Sequence, residues 1–203
     1  MEKLIAVYDI RATDRYLIKL PSTIARQPHL VDLAILLFTT QGDLVDSFEA
    51  IIKPDGWEIP AEVSESSGVT NELAAEQGVP EADAVAAFLA IHDRACLRVA
   101  HHIGFDDRGM RIAIKRFRDE ETAEQFRNGM IYCTALASKP LCKIPPTPKM
   151  IKKGDRSEFK TPTIAEALQI LCGEELEHDH RAQPSAEACA KVFFKITLPP
   201  TAA

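Results

Sequence analysis

The sequence predicts an α/β fold, a mixed β-sheet of about five strands flanked by α-helices. Three features lead to it. Short runs of β-branched and aliphatic residues recur along the first half of the chain. Segments with apolar residues at three- and four-residue spacing separate or follow them. One such helical segment lies between two strands, the arrangement that makes a parallel pair through a crossover. With 203 residues, 46% of them hydrophobic, the chain has enough apolar mass for one sizeable core,. Residues 1–198 read as a single domain and 199–203 as a short C-terminal tail.

Residues 4–8, Leu-Ile-Ala-Val-Tyr, form the first strand, ended by Asp9, and residues 30–38 form a longer second one,. Residues 39–43 make a turn, and residues 44–53 alternate as the return strand of a hairpin closed by Pro54, Asp55 and Gly56,. From Pro80 the spacing becomes helical, with Ala84, Ala87, Phe88 and Ile91 on one face. Residues 97–100 then supply a central strand, and residues 105–117 a second helix with Arg108, Arg111, Lys115, Arg116 and Arg118 on its wet face,. Residues 130–132 suit a short last strand. Pro140, Pro145, Pro146 and Pro148 predict an extended segment over residues 140–160, without regular helix,. Two helices finish the chain, 163–171, ended by Gly173, and 184–196, with Pro184 in its first turn,.

The net charge of −6 sets a field that repels nucleic acid. Non-specific coating of DNA is disfavoured, while a grip on one strand end in a local cleft remains open. The five cysteines, Cys96, Cys133, Cys142, Cys172 and Cys189, are scattered and include no C-x-x-C pair. They read as reduced thiols of a cytosolic protein rather than a disulfide framework. No apolar stretch approaches the eighteen or so residues of a membrane span, so no membrane association is expected. The N-terminus runs directly into a strand pattern rather than a signal peptide, which points to a cytoplasmic protein.

Polar, metal-competent groups end an apolar element in three places. Asp9-Ile10-Arg11 leaves the first strand; His101, His102, Phe105 and Asp106 stand where a strand passes into a helix; His178, Asp179, His180 and Ser185 stand at the start of the last helix. Functional groups at strand ends are the usual arrangement of an α/β active site.

In order and spacing, across nearly the whole chain, these motifs resemble the DnaQ-like 3′–5′ exonucleases of the DEDDh type, a ribonuclease-H-like family. In that family strand one ends in Asp-x-Glu, a central strand leads into Ala-His-Asn-x-x-Phe-Asp, and a late segment reads His-x-Ala-x-x-Asp. Residues 67–70, Tyr132-Cys133-Thr134, residues 146–150, residues 163–167 and Gly173-Glu174 add to the resemblance, which is to a bacterial or phage-like branch. It implies two Mg²⁺ or Mn²⁺ ions about 3.5–4 Å apart, held by four carboxylates, that hydrolyse a single-stranded DNA or RNA 3′ end. A histidine acts as general base on the water.

Carried over residue by residue, Asp9 matches the bridging carboxylate, Asp106 the middle one and His180 the base. Two ligand positions depart: Arg11 stands where Glu belongs, and Ser185 where the last Asp belongs. Residues two apart on a strand share a face, so Arg11 projects toward the same place as Asp9. At an effective dielectric near 20, unit charges 4 Å apart interact by about 4 kcal/mol, and a dication doubles that. An inward Arg11 therefore opposes the ion, and two-metal hydrolysis by the usual route is expected to fail. Arg11 is instead expected to pair with Asp9 or to contact a phosphate. Asp14, Asp107, Asp179 and Glu187 are the nearest candidates in sequence to replace the missing ligands, although Asp107 and Glu187 turn away on helical geometry. His102 is a further departure, since Asn usually follows the first His of the middle motif.

The expected role is that of an exonuclease-like domain with a degenerate metal site. It would bind a nucleic-acid end or a protein partner, as a proofreading domain docks on its polymerase, and need no cofactor. The alternative is an active metal-dependent 3′–5′ exonuclease with altered ligands, using Mg²⁺ or Mn²⁺. Arg11, His101, His102, Phe105 and Trp57 are the expected nucleic-acid contacts, Trp57 either stacking on a base or plugging the side of the core. Lys149, Lys152, Lys153, Arg156 and Lys160 form a basic patch, either a solvated loop or a strand-guiding segment.

Overall fold

The computed structural model describes residues 3–177 and 180–198. The strands are β1 (Leu4–Ala12), β2 (Leu30–Thr39), β3 (Leu44–Lys53), β4 (Val79–Pro80), β5 (Leu97–Ala100) and β6 (Ile131–Cys133). The helices are α1 (Ala61–Ser67), α2 (Asn71–Gln77), α3 (Glu81–His92), α4 (Ile103–Phe117), α5 (Glu120–Arg127), α6 (Thr134–Cys142), α7 (Pro148–Lys152), α8 (Ile164–Cys172) and α9 (Ala182–Thr197). One mixed sheet runs in the order β4-β3-β2-β1-β5-β6. β1, β2 and β3 form an antiparallel meander, and β5 joins β1 in parallel after the α3 crossover. The five expected strands are all present, and β4 adds a two-residue pairing with the end of β3.

Strand periodicity divides the core into two layers. Ala6, Tyr8 and Ile10 of β1 face α3 and α4, packing with Phe88, Met110 and Ile112. Ile5 and Val7, one residue out of phase, pack with Cys189, Ala190 and Phe193 of α9. Asp9 and Arg11 continue this second phase, so they leave the strand on the α9 side. Asp106 comes from the first turn of α4, on the opposite layer, and reaches β1 through the backbone N–H of Ile10 at 3.2 Å. The site is therefore built at the C-terminal end of β1 by elements from both layers.

Residues 140–160 correct the expectation of an unbroken extended segment. Pro140 lies inside α6, and α7 starts at Pro148. Pro140 is tolerated because it falls in the last turn, where its missing N–H removes a single bond, to the Leu136 carbonyl on the exposed side,. Buried Thr134, Ala135 and Ser138 hold the preceding turn in place. Pro148 occupies the first position of α7, where no N–H is required, and the Thr147 side chain accepts from Met150 N,. The predicted helix at 184–196 begins two residues earlier, at Ala182, and Pro184 stands in its first turn.

Close packing against α4 depends on Gly109. A Cβ there would lie 2.2 Å from the Tyr16 hydroxyl and 2.3 Å from Ile10 Cδ1. Helix propensity alone favours Ala over Gly by about 1 kcal/mol, but overpacking of this kind costs about 1–3 kcal/mol. Gly109→Ala is therefore expected to lower stability by about 1–2 kcal/mol in urea unfolding. An unchanged or raised midpoint would show that Tyr16 yields freely.

Candidate active-site cleft

A cavity of about 510 Å³ lies at the end of β1. Asp9, Arg11, His101, His102, Phe105, Asp106 and Ser185 line it, together with Ser66 and Ser67 of α1 and residues 163–165 at the start of α8. Three segments far apart in sequence thus meet there, and Asp9, Asp106 and Ser185 are 8%, 3% and 1% exposed.

Arg11 turns inward and spans the space between the inferred ligand positions. One terminal nitrogen donates to Asp9 Oδ2 and to the Ile10 carbonyl; the other donates to Ser185 Oγ at 2.7 Å and to the Arg181 carbonyl at 3.3 Å. Nε donates to the carbonyl of His180 at 3.0 Å. A guanidinium has five N–H donors, and each of these acceptors takes one. Arg11 cannot grip a phosphate with two donors unless it first breaks bonds to the protein.

Asp32, opposite Arg11 in the β1–β2 register, builds the next part of this arrangement. It accepts from Arg181 Nε at 2.8 Å and from a terminal nitrogen at 3.2 Å, and from the backbone N–H of Ala182 at 2.8 Å. A carboxylate at the first N–H of α9 complements the helix dipole and fixes where the helix starts. Asp32 and Arg181 lie in segments that the sequence singles out, the second strand and the start of the last helix, but neither was given a role in the site.

Burial raises the Asp9 carboxyl to about 7; Arg11 pulls it down and Asp32 pushes it up. Asp106 is raised well above the carboxylate range, first by burial and then by the charge of Asp9, against the N–H of Ile10 and the more distant Arg11. His101 is buried between Thr134 Oγ1 (2.9 Å) and the Pro162 carbonyl (3.0 Å). A carbonyl only accepts, so Nε2 carries the proton and Nδ1 accepts from the threonine hydroxyl. Burial lowers His101 to about 4. His102 caps α4 in the left-handed region, φ 63° and ψ 44°, where Asn and His are among the better-tolerated side chains,.

The remaining candidates divide. His180 gives its backbone carbonyl to Arg11, is exposed, and is not among the cavity-lining residues. Trp57 stacks on His29 at 4.6 Å and packs beside the core, away from the lining residues. Asp107 serves Tyr8 and buried Arg98 (2.9 Å), Glu187 accepts from Gln183, and Asp14 is exposed and accepts from Arg15 N. His178 and Asp179 lie outside the described residues. Thr163 caps α8 in a capping box with Glu166 and lies on the cavity wall, a placement that no sequence signal marked,.

Two hard cations need several charged oxygen ligands. The cleft brings Asp9 and Asp106 together, but an oxygen of Asp9 and the Ser185 hydroxyl already accept from a guanidinium set between them. Among the described residues no three His, Cys, Asp or Glu side chains converge as a metal site. The donors present do not fit a two-ion centre.

No protein-family model matches the sequence, and no curated protein matches it. Solved structures do. The chain is similar to exonuclease I, with TM-score 0.69 and 15% identity over 97% of this chain and 42% of that one. It is similar to the zinc-bound complex of E. coli exonuclease I with single-stranded DNA (TM-score 0.69, 13% identity, 97% and 40% covered). The E. coli enzyme bound to a dT13 oligonucleotide gives TM-score 0.67 and 15% identity, with 96% and 41% covered. The chain thus has an exonuclease, ribonuclease-H-like fold and spans about two fifths of the length of those proteins.

The buried imidazole sets a pH dependence of stability. The unfolded chain takes up a proton near the ordinary 6.5 and the folded protein only near 4, so His101 removes stability as pH falls from 6.5 through 4, about 3 kcal/mol in full. Asp9, raised in the folded state, acts in the opposite sense. The measurement is therefore the difference between wild type and His101→Gln in urea unfolding at pH 7.5, 6 and 5. Relative to wild type, the variant should gain stability steadily toward pH 5; a constant difference would mean that His101 is protonated at its ordinary pH in the folded protein.

Proposed function

We propose that this chain is a DnaQ-like exonuclease domain whose metal centre has been replaced by an internal arginine, and that it holds a single-stranded nucleic-acid end in the cleft without hydrolysing it. One observation carries this reading. Arg11 occupies the region between Asp9 and Ser185 with all five donors engaged, where an ion-binding site requires anionic oxygens and no fixed cation. Similarity to exonuclease I structures bound to single-stranded DNA supports the choice of ligand. Ser66, His102 and Phe105 on the cavity wall offer hydroxyl, imidazole and ring contacts to a terminal nucleotide,.

A 3′-end-labelled oligonucleotide incubated with the protein in Mg²⁺ or Mn²⁺ should be bound and remain intact. Arg11→Glu with Ser185→Asp restores four carboxylates, with Asp9 and Asp106, and should raise Mn²⁺ affinity at least tenfold and permit slow degradation. Either single change should do little, because groups that share one ion couple non-additively. His180→Ala in the double variant tests that histidine as the base and should abolish any activity gained. Degradation by the unmodified protein that is lost in Asp9→Ala would establish the opposite, an active exonuclease with altered ligands.

A further inference from the structure

The strand-end reading leaves one strongly charged feature of the surface without a role. Residues 139–160 carry seven lysines and arginines against two carboxylates, Asp155 and Glu158, in a chain whose net charge is −6. Elsewhere most of the arginines are paired with acids, as Arg98 is with Asp107, Arg116 with Glu81 and Arg181 with Asp32. Here Lys160 pairs with Glu166. Among the described residues Lys139, Lys143, Lys149, Lys152, Lys153 and Arg156 form no ion pair.

The segment is fastened to the cleft wall. Lys160 N donates to the Ile144 carbonyl at 2.9 Å, closing residues 144–160 into a loop. The Lys160 side chain bonds Glu166 in the first turn of α8, Pro162 accepts from His101, and residues 163–165 line the cavity. The loop thus adjoins the α8 wall of the cleft. Its three prolines, Pro145, Pro146 and Pro148, keep it short of a continuous amphipathic helix of the kind that lies on a membrane,.

Resting on the strand-end reading, we infer that residues 139–156 form the electrostatic track for the phosphates of the single strand whose end occupies the cleft. The loop supplies salt-dependent affinity without sequence preference, and the cleft recognises the terminus. Placing the cations on one loop resolves a conflict in the composition. An acidic protein cannot collect nucleic acid through its overall field, but several unpaired cations within a Debye length of a strand attract it locally.

The test is the quadruple variant K149E/K152E/K153E/R156E, compared with wild type on a labelled dT15 and on a trinucleotide confined to the cleft. Each phosphate contact on a single strand contributes about −0.7 to the slope of log affinity against log salt concentration. The variant should flatten that slope for dT15 by about 2–3 and weaken binding at least tenfold at 50 mM salt, while the trinucleotide binds as before. The Gln counterpart, K149Q/K152Q/K153Q/R156Q, removes charge without reversing it and should give the same direction. An unchanged dT15 slope with intact binding overturns the track and leaves the strand-end reading standing. Equal loss on the trinucleotide also overturns it, since the effect then lies in the cleft. Loss of binding to phosphatidylserine vesicles with no change on dT15 would assign the loop to a lipid surface instead. If wild type binds neither oligonucleotide, both readings fall together.

Discussion

The geometry of the cleft depends on one side chain, Arg11. Its guanidinium bonds a carboxylate on its own strand, a hydroxyl on α9 and the carbonyls of the two residues before that helix. The hydroxyl and the two carbonyls lie 169–174 residues away in sequence, so these contacts close the C-terminal part of the chain onto the first strand. A divalent ion in the same region would also cross-link oxygens of β1 and α9. The guanidinium does so permanently, with planar and directed donors, and does not depend on ion concentration.

The closure is reinforced one position across the sheet. Asp32 takes two bonds from Arg181 and one from Ala182 N, so the turn into α9 is held by a bidentate pair and a helix-terminal bond,. Arg11 and Arg181 therefore hold the same short segment from two sides, one through its carbonyls and one through its side chain. Removing one partner of a buried pair costs more than the pair contributes, because the remaining charge is left without compensation. Replacing Arg11 alone therefore leaves the buried Asp9 without its guanidinium.

Much of the fold was legible because apolar periodicity is a local property. The runs in β1, β2 and β5 are continuous since both faces are buried, and the spacing of Ala84, Phe88 and Ile91 matches the core side of α3. The seven-residue helices α1 and α2 were not legible, since so few turns show little periodicity and their ends are set by the left-handed Gly68 and the Thr70 cap. Proline was overread at Pro140, where tertiary packing of Thr134 and Ser138 outweighs a single lost hydrogen bond. At the site, Asp9, Arg11, Asp106 and Ser185, singled out through the family resemblance, line one cavity. The saturation of the Arg11 donors by backbone carbonyls was not legible, because carbonyls carry no sequence signature. Asp32 was passed over for a related reason: an acid within an apolar strand has meaning only once its cross-strand and helix partners are known.

The charges of the cleft show why an arginine at position 11 is compatible with this fold. Three buried carboxylates, Asp9, Asp32 and Asp106, lie beside two guanidiniums, Arg11 and Arg181. Asp106 is the carboxylate farthest from compensation, with a backbone N–H as its direct bond, and it is the one held well above the ordinary range. Burial and the charge of Asp9 both act against ionisation of Asp106. A cleft of bare carboxylates repels a phosphodiester, and a guanidinium placed among them reduces that barrier. An arginine at position 11 thus lowers the electrostatic cost of bringing an anion into this cleft,.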